Sequence, residues 1–65
     1  MKLTVLHLKQ VVNFLEKHQI EAVDLINSFD GLHLKFKGAD GRGHYDIKLT
    51  EKGPKISQYT REEDL

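Results

Sequence analysis

The sequence predicts a two-layer α+β domain. An N-terminal amphipathic helix packs on a three-stranded antiparallel β-meander, or on a four-stranded one if residues 20–29 are extended. Three observations carry this reading. Apolar residues recur at helical spacing from Leu8 onward. Two later stretches, 32–37 and 44–50, alternate apolar with polar residues, as strands with one buried face do. Between them, Gly38-Ala39-Asp40-Gly41-Arg42-Gly43 supplies a hairpin loop whose glycines are free to take positive φ. An amphipathic helix and a one-sided sheet each need an apolar cover, and each serves as the other's.

The helix comes first. Leu8, Val11, Val12, Leu15, Ala22, Ile26 and Phe29 share one side of a helical wheel, and Lys9, Asn13, Glu16, Lys17, Glu21, Asp24 and Asn27 share the other. Thr4 is a good N-cap, because its hydroxyl can accept from a free amide of the first turn. Leu3 and Leu8 are spaced to form a hydrophobic staple. Residues 5–18 are therefore predicted helical. Beyond them two readings stand. In one, favoured by the polar positions 21, 24, 27 and 28, the helix runs on to Phe29 and Gly31 is its left-handed C′ residue. In the other, the helix ends near Gln19, residues 21–29 form a strand, and Asp30-Gly31 is a type I′ turn.

The hairpin is more tightly specified. Setting Lys37 opposite His44 places Phe36 opposite Tyr45, Leu34 opposite Ile47 and Leu32 opposite Leu49. Every apolar residue then has an apolar cross-strand partner, which is what fixes a register. The same register sets Lys35 opposite Asp46. Glu51-Lys52-Gly53-Pro54 follows as a turn, Lys55–Thr60 as a short edge strand, and 61–65 as a frayed acidic tail.

Size and composition bound the function. A chain of 65 residues is one domain. Such a domain buries only about 60% of the surface its unfolded chain exposes, so a partner that covers more apolar surface is expected. The absence of cysteine excludes disulfides and thiolate zinc sites and is compatible with the reducing cytoplasm, the expected location. No apolar run approaches the roughly 20 residues that span a membrane. The start, MKLTVLHLKQ, lacks the long apolar region and cleavage site of a signal peptide. The net charge is zero, yet residues 32–59 carry +3, against −1 before them and −2 after.

The candidates for chemistry are few. His7 and His18, eleven residues apart, are about 16 Å apart on a helix and cannot share a metal. His33 and His44 lie on neighbouring strands but diagonally, and no set of three or four ligands converges, so neither metal nor cofactor is expected. The GADGRG loop joins two strands, whereas phosphate loops join a strand to a helix start. The sheet face turned from the helix carries His33, Lys35, Lys37, His44, Lys48, Ser57 and Tyr59, with Arg42 at the loop tip. Lysines there can neutralise phosphates, and Tyr59 can stack on a base, so RNA or DNA binding through His33, Lys35, Lys37, Arg42, Lys48 and Tyr59 is one reading. An ordinary solvated face, where lysines also deter edge pairing, is the other. Asp46 partly cancels the lysines.

Gly31-Leu32-His33-Leu34-Lys35-Phe36, followed by Asp40-Gly41-Arg42, resembles the central segment of HicA-type messenger-RNA interferase toxins. The resemblance spans about twelve residues and the helix before them. It implies a double-stranded-RNA-binding-like fold and makes His33 the catalytic candidate by position. Leu32 and Leu34 stand where that family has serine and a second histidine. Its later Val-Pro-x-His stretch and closing helix have no counterpart here.

A small regulatory or interaction protein, not an enzyme, is the function this sequence favours. Leu6, Phe14, Ile20 and Leu25 lie at the margins of the helical stripe and are candidates to seat a protein partner or a second copy.

Overall fold

Thr4 starts the helix as its composition predicts: its side chain accepts the amide of His7 at 3.1 Å. In a computed structural model, which describes residues 2–39, 41 and 43–59, helix α1 (Val5–Lys17) precedes strands β1 (Asp24–Ser28), β2 (Gly31–Lys37), β3 (His44–Thr50) and β4 (Gly53–Tyr59). The strands form one antiparallel sheet in the order β1-β2-β3-β4. The end of the predicted last strand at Thr60, the acidic tail, Asp40 and Arg42 lie outside the described residues.

The favoured long helix is corrected. The chain leaves the helix at Gln19, whose φ of 59° is the left-handed conformation. The Ile20 amide donates to the Leu15 carbonyl at 2.9 Å and the Gln19 amide to the Glu16 carbonyl at 3.0 Å. These two bonds are the pair that defines a Schellman stop, here with glutamine in the position glycine usually takes. Ile20, on the polar side of a continued helix, thereby swings back to pack against the core. Residues 24–28 then pair with β2, Ile26 facing His33 and Leu25 facing Leu34. The β1–β2 connection is not type I′, which needs positive φ at two central residues. Gly31 takes φ 124° while Asp30 does not take positive φ.

The two short hairpins are built alike. Ser28-Phe29-Asp30-Gly31 and Thr50-Glu51-Lys52-Gly53 each end on a glycine at φ 124°. The Thr50 hydroxyl donates to the Gly53 carbonyl at 2.6 Å, whereas the Ser28 hydroxyl gives its proton to Asp30 and lies 3.4 Å from the Gly31 carbonyl oxygen. The β2–β3 register is the predicted one, from Lys37 opposite His44 to Leu32 opposite Leu49.

Val11, Phe36, Ile47 and Leu49 form the buried core, with Leu3, Phe14, Leu15, Ile20, Val23, Leu32, Leu34 and Tyr45 packed around it. The helix is rolled from its predicted orientation: Val11 faces in, but Leu8 and Val12 are exposed. Aromatic packing accounts for the roll. Phe14 lies 6.2 Å from Phe36 and 6.3 Å from Tyr45, and Phe36 stacks on Tyr45 at 5.4 Å. Seating a phenylalanine among rings gains more than seating a valine.

Candidate functional site

Two surfaces carry the candidate residues. The first is the sheet face turned from the helix. Alternation along the strands places His33, Lys35, Lys37, His44, Asp46, Lys48, Lys55, Ser57 and Tyr59 on it. At its centre, His33 is buried between two carboxylates. Its Nδ1 lies 2.9 Å and 3.0 Å from the two Asp46 oxygens, and its Nε2 lies 2.8 Å from Asp30 Oδ1. Asp30 also accepts from the Ser28 hydroxyl, and its other oxygen is 3.4 Å from Lys48 Nζ.

The electrostatics follow from those contacts. The hydrogen bond to Asp30, then that to Asp46, raises the His33 pKa, outweighing the opposing effect of burial. The Ser28 and His33 hydrogen bonds hold the Asp30 carboxyl well below the usual carboxylate range. Protonated His33 therefore donates from both ring nitrogens. Such a ring has no lone pair left to take a proton from a substrate. When His33 is protonated, it and Lys48 balance the charges of Asp30 and Asp46.

The remaining basic residues of this face are placed as the alternation predicts. Lys35 lies opposite Asp46, and its Nζ is 5.5 Å from the centre of the Tyr59 ring. Tyr59 stacks on His44 at 5.4 Å. Lys48 is directly opposite Lys55 across the β3–β4 ladder. Lys37 is exposed at the end of β2. Arg42 lies outside the described residues. His33 and His44 are buried.

The second surface is apolar. Of the four predicted interface residues, Leu6 and Leu25 are exposed, whereas Phe14 and Ile20 pack against the core. Six more large apolar residues are exposed among those described: Val5, Leu8, Val12, Ile26, Phe29 and Ile56. Val5, Leu8 and Val12 make one ridge of the helix. Leu25 and Ile26 emerge on opposite faces of β1. Phe29, at the tip of the β1–β2 hairpin, is fully exposed. Reading residues 20–29 as helix hid Ile26 and Phe29 by assigning them to the buried stripe. Asp30 was legible only as a turn residue, because its reach to His33 depends on the hairpin bringing them together.

Two concavities flank these surfaces. One of about 200 Å³ is lined by His18, Ile20, Phe36, Gly38, Ala39 and Tyr45. The other, about 490 Å³ and shallow, has Asp30, Lys48, Lys52 and Lys55 in its wall. Among the described residues no cluster of three or more His, Asp or Glu is arranged to hold a metal ion, and no helix is long and apolar enough to cross a membrane. Comparisons with protein-family models, with curated proteins and with solved structures returned no match.

Proposed function

We propose that this chain is a small interaction protein that acts by docking its exposed apolar side chains against a protein surface, whether another protein or a second copy. One observation carries the reading. Among the described residues four apolar side chains are buried, while eight large ones remain in water. Isolated exposed leucines are ordinary. A helix ridge, an edge strand exposed on both faces and a bare phenylalanine at a hairpin tip put apolar side chains in water at several places, more than isolated positions would, and such exposure supports contact with a partner. His33 supports the same reading from the other side, since its bonds to Asp30 and Asp46 suit a structural staple better than a general base.

The test is site-specific photocrosslinking in cells, with a photoreactive phenylalanine analogue placed at Phe29, Leu8 or Leu25, and at Glu51 as control. Adducts with polypeptide are expected from the first three positions and not from Glu51. Absence of polypeptide adducts at all three would refute the reading.

Nucleic-acid binding is the second reading, favoured by the opposed Lys48 and Lys55. Like charges directly across a ladder repel; Asp30, 3.4 Å from Lys48 Nζ, offsets part of that repulsion, and a phosphate between the lysines would offset the rest. Lys35, Lys37 and Tyr59 would extend that contact, and His33 would be its HicA-like element. An NMR titration with short mixed RNA at low and high salt tests it. Shifts clustered on these residues that fade with salt support it, and unmoved spectra dismiss it.

A further inference from the structure

We infer that β1 is a self-pairing edge, and that two copies of this chain join β1 to β1 across a two-fold axis at Ile26 into one eight-stranded sheet. This deepens the interaction reading and rests on it, naming the partner as a second copy.

The sheet order leaves β1 and β4 as edges. An edge strand presents unpaired amides and carbonyls to any strand that can reach them, and proteins usually guard such edges with proline or lysine. The β4 edge is guarded: Pro54 removes an amide, and Lys55 already faces Lys48. The β1 edge, Asp24-Leu25-Ile26-Asn27-Ser28, carries neither guard.

Its sequence is also complementary to itself. Antiparallel pairing about Ile26 sets Leu25 opposite the partner's Asn27, and Asp24 opposite the partner's Ser28. The strand's single charge thus meets a hydroxyl instead of its own copy, so like charges never face one another. On the far face the two Ile26 side chains meet across the axis. On the helix face, Leu25, 64% exposed in the single chain, approaches its copy diagonally. Both helices then lie on the same side of the continuous sheet. Two-fold pairing also closes the assembly at two chains, whereas β1-to-β4 pairing would propagate as a filament. Pro54 and Lys55 oppose that second mode.

The natural chain has no cysteine, so a single introduced thiol reports one contact. Across a two-fold antiparallel pair, opposed Cα atoms lie about 4.5–5.5 Å apart, within the range a disulfide spans. The experiment compares Ile26→Cys with Ile56→Cys, its counterpart on the β4 edge, in a thiol-disulfide redox buffer. Analytical ultracentrifugation of the natural chain and of Ile26→Lys is run alongside. Pre-association raises the local thiol concentration, so Ile26→Cys is expected to cross-link roughly a hundredfold faster than Ile56→Cys. The natural chain should sediment toward twice its 7.5 kDa mass as concentration rises, and Ile26→Lys should stay at one.

The inference is overturned if the natural chain remains monomeric, or if Ile56→Cys cross-links as fast as Ile26→Cys. A monomer that still gives photo-adducts with other polypeptides overturns the inference alone. A monomer that gives none overturns the interaction reading as well.

Discussion

Replacing Gln19 by glycine should stabilise the protein, and the sign of the change decides how the helix ends. Gln19 is the one residue other than glycine with positive φ among those described. An L-residue in the left-handed conformation costs roughly 1–2 kcal/mol relative to the right-handed one, and glycine removes that cost. Glycine also gives the unfolded chain more freedom, which takes back about 0.4–1 kcal/mol. The net expectation is a gain of about 0.5–1 kcal/mol. In a domain of this size that raises Tm by roughly 2–8 °C. Urea unfolding followed by circular dichroism, with an unchanged slope, measures it. Gln19→Ala keeps the left-handed penalty and should gain nothing. Had the helix continued through Gln19 to Phe29, glycine there would sit mid-helix and cost about 1 kcal/mol. A destabilised Gln19→Gly variant would therefore refute the Schellman stop and with it the exposed β1 strand.

Three further outcomes are expected. Ile47 is fully buried in an inner strand, whereas its neighbour Ile56 is 44% exposed; Ile47→Ala should cost about 2–5 kcal/mol and Ile56→Ala clearly less, and equal losses in urea midpoints would contradict the core assignment. The His33 pKa is raised above its ordinary 6.5, so its contribution to stability is complete below that pH and is lost as pH rises through the higher folded value. The Asp30 pKa is lowered from 3.8, so its contribution is present above 3.8 and fades as pH falls below it. Urea midpoints should thus peak between these limits, and His33→Gln should flatten the alkaline limb; an NMR titration placing His33 at or below 6.5 would exclude the double carboxylate bond. Gly31→Ala meets no atom within 4 Å, yet its φ is 124°, so it isolates the backbone term, about 1–3 kcal/mol destabilising. A neutral result would mean the turn relaxes.

How far the sequence could be read depended on where the buried faces lie. Leu32, Leu34 and Phe36 against Leu49, Ile47 and Tyr45 have one face in the core, so alternation specified their register residue by residue. Asp24 to Ser28 form an edge strand exposed on both faces, and no alternation is imposed on a strand without a buried side. Its polar positions at 24, 27 and 28 mimicked the outer face of a helix. The helix stop was hidden for a related reason: glutamine occupies the place where glycine would have announced it. At the candidate site, alternation correctly put His33 and the lysines on one face. It could not show Asp30 folding back onto His33, because that contact crosses a hairpin whose existence was the open question.

The order of the strands has a consequence for how the chain reaches this structure. Each strand pairs with the one before it, through connections of two, six and two residues. Every ladder is closed by a short loop, so little chain entropy is lost before pairing begins to repay it. Such local topologies fold fast for their size. The main refolding phase is expected within milliseconds in stopped-flow fluorescence of Tyr45 and Tyr59. A dominant phase of seconds or longer would contradict this local order of closure.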